Sequence, residues 1–307
     1  MSKATRIRQQ NAREKIAAQR AAARRAEVRK RALITAGSVI VVVAIVVAFI
    51  VIKASGNNGS PSSGSGGVTG TALPASVGKD IASVPASTLN SVGVGSVPSY
   101  MTSAEGGAPP LTPISGGGSL TSGGKPEMLY IGAEFCPYCG AERWAMAQAL
   151  SRFGTFTTPL RGIHSSSTDV DPSTPTLTFY KSSYSSKYLT FTPVENENDS
   201  QGPLQQTTAA QETLWKKYDT GSDGSTGYPF IDFGNKYVLK LPNYDPGVLA
   251  KMTWAQVATA MHNPSSPVAQ GADGSANLIT AAICKMTNGQ PGNVCTAPGV
   301  VKASGSL

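Results

Sequence analysis

Met128-Leu-Tyr-Ile-Gly-Ala-Glu-Phe-Cys-Pro-Tyr-Cys-Gly-Ala-Glu-Arg-Trp144 decides how the chain is read. An apolar run ends just before Cys136, a second cysteine follows at Cys139, and a helix-forming segment starts at once. The pattern predicts a buried strand over 127–133 and a helix over 137–153. Cys136 then stands where unpaired backbone N–H groups and the positive end of the helix dipole favour a thiolate. Pro137 suits the first helical turn, because the N–H it lacks would have had no partner there. Cys139, one turn further and on the packed face with Met146, Leu150 and Phe153, is placed to resolve a mixed disulfide formed at Cys136.

Working outward, 155–163 reads as a second strand parallel to the first, joined to it by the helix. Residues 176–180 and 187–193 read as a hairpin, and 204–218 as a helix. Residues 228–239 read as a hairpin turning at Gly234-Asn235. Asp245 caps a helix running to about His262, and a last helix spans 276–285. Toward the N-terminus, 86–92 reads as a short helix, and 110–114 with Leu120 as a strand pair. The order is that of an α/β fold with a mixed sheet flanked by helices.

The remainder of the 307 residues divides by composition. Residues 1–31 carry eleven Lys/Arg against two Glu, whereas everything after Arg31 carries 15 basic and 16 acidic residues. The net charge of +8 therefore belongs to a tail and not to a folded surface, which argues against nucleic-acid binding. Ala32–Ile52 is an uncharged run of 21 residues, long enough at about 1.5 Å per residue to span a hydrocarbon core. Arg29, Lys30 and Arg31 before it, against Lys53 after it, predict a single-pass protein with a cytoplasmic N-terminus and the remainder outside the cell. Residues 53–79, dominated by Gly and Ser, read as a flexible linker, and 80–300 as the extracytoplasmic domain. The lipid bilayer is thus one expected partner.

The chain resembles the thioredoxin-like superfamily at two places. Glu134-Phe135-Cys136-Pro137-Tyr138-Cys139 looks like its active-site strand–helix junction, with the Pro-Tyr dipeptide of glutaredoxins. Tyr228-Pro229-Phe230 resembles its cis-proline loop. The runs Tyr-Ile-Gly-Ala-Glu-Phe-Cys-Pro-Tyr-Cys and Ala-Ala-Ile-Cys-Lys-Met-Thr look like a prokaryotic membrane-anchored thioredoxin-like family of unknown function. The resemblance implies a thiol–disulfide oxidoreductase acting on protein thiols or disulfides, with a membrane redox partner and no cofactor. Cys136 and Cys139 would be catalytic, with Tyr228, Pro229, Pro137 and Tyr138 meeting the substrate. Pro175 is a rival for the cis-proline. Where thioredoxins carry a buried acid this chain has Tyr130, and Glu134 is expected at the surface.

Other readings stay open. Cys284 and Cys295 fit a structural disulfide around Asn288-Gly289 and Pro291-Gly292, or a second redox pair. Four cysteines could form one zinc site, but the ten residues between the second pair depart from knuckle spacing. Copper delivery would recruit His164 or His262, neither at ligand spacing. No metal is expected. A thioredoxin-fold envelope module that only binds is the non-catalytic alternative.

Overall fold

The computed structural model describes residues 69–97, 111–221 and 224–307. The chain divides into two units, Met1–Ser65 and Gly66–Leu307. The basic tail, the apolar run and the linker as far as residue 68 lie outside the described residues. Among the described residues no helix is long and apolar enough to cross a membrane.

The chain enters through β1 (Thr71–Ala72), α1 (Ala75–Ala82) and α2 (Ala86–Val92). Then come β2 (Leu111–Pro113), β3 (Thr121–Ser122) and β4 (Lys125–Gly132). Helix α3 (Pro137–Ser151) is followed by four short strands: β5 (Gly154–Phe156), β6 (Arg161–His164), β7 (Pro175–Thr178) and β8 (Tyr184–Ser186). The order continues with β9 (Thr190–Glu195), α4 (Ala209–Asp219), β10 (Phe230–Phe233) and β11 (Tyr237–Leu239). A 3-10 turn (Pro246–Leu249), α5 (Trp254–Ala260) and a π-helical turn (Ala269–Asp273) lead into α6 (Gly274–Met286). Two short helices, α7 (Gly292–Cys295) and α8 (Pro298–Ser304), close the chain.

The main sheet is mixed and runs β2-β11-β10-β4, with β9 and β3 each also pairing with β4. β4 pairs parallel with β9 and antiparallel with β10, so the strand leading to Cys136 is central. Its run from Met128 to Gly132 is buried throughout, as a strand covered on both faces requires. Two smaller sheets, β1-β6-β7 and β5-β8, complete the strand pairing.

Helix α3 carries no amphipathic stripe. Of its 15 residues only Tyr138 and Ser151 escape burial, because the helix packs against α6, α1 and β7 as well as the sheet layer. Small side chains at Ala141, Ala145, Ala147 and Ala149 let these elements approach closely.

Several sequence expectations change here. Residues 154–164 form two strands in different sheets, and the parallel partner of β4 is β9. Residues 176–180 and 187–193 are not a hairpin: β7 pairs with β6, and 187–193 lead into β9, which pairs with β4. Period-2 patterning located these strands but could not choose their partners. Likewise β2 pairs with β11 and β3 with β4, not with each other. The linker is shorter than expected. Residues 71–79 already fold, since Val77 and Ile81 bury one face of α1. The helix expected from Asp245 to His262 breaks at Lys251, whose φ is +61°, and α5 restarts behind a Thr253–Gln256 capping box. The folded unit also runs past residue 300, with Val300 and Ala303 of α8 buried.

Candidate dithiol site

β4 ends at Gly132, and three residues carry the chain to Cys136, the N-cap of α3 in extended conformation. There the sulfur takes the place usually filled by a Ser or Asp oxygen: the Cys139 N–H donates to it at 3.3 Å. On its other side the Cys136 thiol donates to the Tyr228 carbonyl at 3.9 Å. The Tyr228–Pro229 peptide is cis. Pro175 is not the cis residue; it opens β7, and its carbonyl accepts from the Trp144 indole at 2.9 Å. Tyr228 is held by Trp215 of α4, whose ring stacks on it at 5.2 Å and whose N–H donates to Gly227. Phe135, Tyr138 and Tyr228 pack around the two cysteines, so Cys136, Cys139, Pro137, Tyr138, Tyr228 and Pro229 do converge. Tyr138 also faces the carboxylates of Asp171, Asp169 and Asp245.

The two thiols are free and buried, but not equivalent. Burial pushes the Cys136 thiol up, yet hydrogen bonds from the Cys139 side chain and backbone and the nearby Arg143 charge outweigh it. The net shift is downward. Cys139 is driven well above the usual cysteine value, first by burial and then by its hydrogen bond and repulsion from Cys136.

Sequence reasoning missed the charges beneath the dithiol. Arg143, fully buried, donates from Nε to Glu195 Oε1 at 2.9 Å and from Nη2 to Oε2 at 2.6 Å. Nη2 also donates to the Ala133 carbonyl at 2.7 Å, which pins the turn ahead of Cys136. Glu195 is equally buried and accepts from the Phe179 N–H. One signal was available: Arg143 lies four residues after Cys139, one turn along the same helix face. Its partner was not readable, because Glu195 arrives on β9, whose parallel pairing with β4 the sequence did not reveal.

Glu134 is a further correction. Expected at the surface, it is 1 % exposed. Its Oε1 accepts from the Thr178 and Thr69 hydroxyls, both at 2.5 Å, while Oε2 has no partner. Burial raises its pKa. Tyr130, in place of a buried acid, lies wholly inside with the Arg143 guanidinium 5.9 Å from its ring centre. Its hydroxyl has no hydrogen-bond partner and occupies the space over Gly132, where an added Cβ would stand 2.0 Å from it. Burial lifts its pKa well above the ordinary phenol value, so it stays neutral.

Cys284 and Cys295 are joined in a disulfide. Helix α6, which carries Cys284, ends beside the far turn of β10 and β11, where Met286 meets Gly234 and Lys236 donates to the Lys285 carbonyl. Tyr228 enters β10 at the other end, so the strand separates this bond from the dithiol. His164 lies against Trp254, and His262 bonds the Asp80 carbonyl. Among the described residues no group of three or more His, Cys, Asp or Glu is placed to hold a metal ion.

No curated protein and no solved structure matches the chain. The sequence model of a family described as a domain of unknown function, DUF929, matches residues 115–285. That stretch runs from just after β2 to just past the first disulfide cysteine and holds Cys136, Cys139, Arg143, Glu195, Tyr228 and Pro229. It takes in more than half of the chain, and the protein therefore belongs to the DUF929 family.

Proposed function

We propose that this protein is a thioredoxin-like thiol–disulfide oxidoreductase, tethered to the membrane by Ala32–Ile52 and working outside the cell on protein thiols or disulfides. One observation carries the reading. The Cys136 sulfur is held between the Cys139 N–H at 3.3 Å and the Tyr228 carbonyl at 3.9 Å, which sets the proposed nucleophile beside the proposed resolving thiol. Strand–helix–strand–helix–hairpin order, with β9-β4-β10-β11 neighbours, supports the thioredoxin-like assignment.

In the reducing direction the Cys136 thiolate attacks one sulfur of a substrate disulfide. A mixed disulfide forms and the first substrate thiol leaves as its thiolate. Cys139, losing its proton, then attacks Cys136, and the second substrate sulfur leaves. Two electrons pass from the dithiol to the substrate, and a Cys136–Cys139 disulfide remains. The oxidising direction is the same sequence reversed. The backbone of Tyr228 is placed to pair with an extended peptide during the encounter. The Cys284–Cys295 bond acts as a staple in this scheme.

The test is reduction of insulin by dithiothreitol, and reactivation of a scrambled disulfide protein, with the full-length chain. Native protein accelerates at least one of them, and Cys136→Ser abolishes the acceleration. Equal rates for the two proteins reject the proposal.

A further inference from the structure

One uncharged donor beside the dithiol is idle. The Tyr130 hydroxyl is wholly buried and makes no hydrogen bond, an arrangement that costs stability and that phenylalanine would avoid. Its place is well defined. Tyr130 and Gly132 share a face of β4, and the phenol oxygen lies over Gly132, 2.0 Å from where a Cβ would stand. The oxygen therefore sits at the end of the strand from which the chain turns to Cys136. Phe179 meets the ring edge-on at 5.5 Å, and the Arg143 guanidinium stands 5.9 Å from its centre. Arg143 is one helical turn from Cys139, so the ring is fixed against the face of α3 that carries the second thiol.

Burial is the main reason the phenol keeps its proton. Against the pull of Arg143, charge on an ionised Cys139 and the hydrogen bond that sulfur would accept add to the effect. Tyr130 thus stays a neutral donor whatever the state of the dithiol.

The reaction supplies the missing acceptor. Cys139 is fully buried, and its thiol is held protonated by burial first, then by its hydrogen bond to Cys136 and the charge there. Once Cys136 is tied up in a mixed disulfide, the restraint from Cys136 is gone and burial remains. Arg143 and the Ala133 backbone pull Cys139 down, but the Arg143 charge is already matched by Glu195.

We infer that Tyr130 is a catalytic residue of the resolving step, its idle hydroxyl donating to the Cys139 sulfur when that sulfur becomes a thiolate. The inference rests on the dithiol reading proposed above. In the mixed disulfide Cys139 releases its proton to water, and the Tyr130 O–H holds the resulting anion. The thiolate attacks the Cys136 sulfur, the bond from Cys136 to the substrate breaks, and the departing substrate thiolate takes up a proton. Tyr130 keeps its own proton throughout, so it lowers the barrier to resolution and leaves the overall equilibrium alone.

The test mixes the reduced full-length protein, in detergent, with one equivalent of dithiodipyridine in a stopped-flow spectrometer. Cys136 releases one thiopyridone as it attacks, and Cys139 releases a second as it resolves the adduct. Tyr130→Phe should slow the second phase about tenfold or more, as loss of one hydrogen bond to a charged group implies. The first phase and the equilibrium with glutathione should stay within about twofold of native. Tyr130→Met also lacks the donor and serves if Tyr130→Phe fails to fold. A native second phase in a folded donorless variant overturns the inference and leaves the dithiol reading standing. Equal slowing of both phases, or a shifted glutathione equilibrium, overturns it as well by making Tyr130 a packing residue. Native protein that releases only one thiopyridone, or none, refutes the dithiol reading and the inference with it.

Discussion

Arg143 and Glu195 make a two-pronged ion pair with neither side chain exposed, one helical turn behind Cys139. The same guanidinium holds the Ala133 carbonyl, while its Nη1 has no partner. Removing one member of such a pair leaves a stranded buried charge. Arg143→Met and Glu195→Gln should each cost about 3–5 kcal/mol of stability, measured by urea unfolding. Arg143→Met should also raise the pH at which the Cys136 thiolate appears by ultraviolet absorbance, because the cation helps hold that thiol down. An unmoved thiolate titration in a folded variant would remove Arg143 from the electrostatics of the site.

The unequal thiols predict unequal alkylation. With Cys139→Ser, iodoacetamide should modify Cys136 at least about tenfold faster near neutral pH than it modifies Cys139 in Cys136→Ser. Mass spectrometry of the intact protein reads both rates. Reversed order would exchange the proposed roles of nucleophile and resolving thiol.

Stability should fall as pH rises from acid to mildly alkaline, an unusual slope for a globular protein. Burial lifts Glu142 to about 7, although Asn243 and Ser275 donate to it. Asp273, with neither oxygen partnered, is lifted to about 8 by burial against the pull of Arg152. Both acids bind protons more tightly folded than unfolded. Their contribution is therefore complete below about pH 4 and is lost as pH climbs through these raised values, about 3 kcal/mol for Glu142 and about 6 kcal/mol for Asp273. Urea midpoints across that range should flatten in Asp273→Asn. A variant with the native slope would show that Asp273 does not set it.

Gly132 should resist even one methyl group. An alanine Cβ meets the Tyr130 hydroxyl oxygen, so Gly132→Ala should destabilise by about 1–3 kcal/mol. Adding Tyr130→Phe removes the nearest colliding atom, the hydroxyl oxygen at 2.0 Å, and leaves the ring carbon Cζ at 2.4 Å. The double variant should recover only part of the loss in a thermal melt. Additive costs would mean that the clash is elsewhere.

Removing the Cys284–Cys295 bond with paired alanines should lower stability by about 3 kcal/mol, from a loop closed over a sequence separation of 11. Graded dithiothreitol followed by alkylation should open an oxidised Cys136–Cys139 bond first. If both bonds yield together, the distinction between catalytic pair and staple is lost.

Local chemistry was legible where neighbours in sequence decide it. The Cys136 N-cap, Pro137 at the first helical position and the Gly234-Asn235 turn, both residues at positive φ, all follow from short-range rules. The α2 boundaries, Ala86–Val92, were legible for the same reason. What stayed hidden depends on strand partners far apart in sequence. β4 meets β9 after the detour through β5–β8, and that pairing brings Glu195 level with Gly132. Without it the sequence offers Arg143 no partner. Glu134 misled for a related reason: its cover, Thr69 and Thr178, comes from two distant segments.

Thr69 carries one more implication. It donates to Glu134, two residues before Cys136, and Arg161 grips the carbonyls of Thr69 and Gly70. The first described residues of the folded unit are thus fastened beside the turn that carries Cys136, so a substitution at Thr69 that loosens them would be felt first at that turn and not at the Cys284–Cys295 bond.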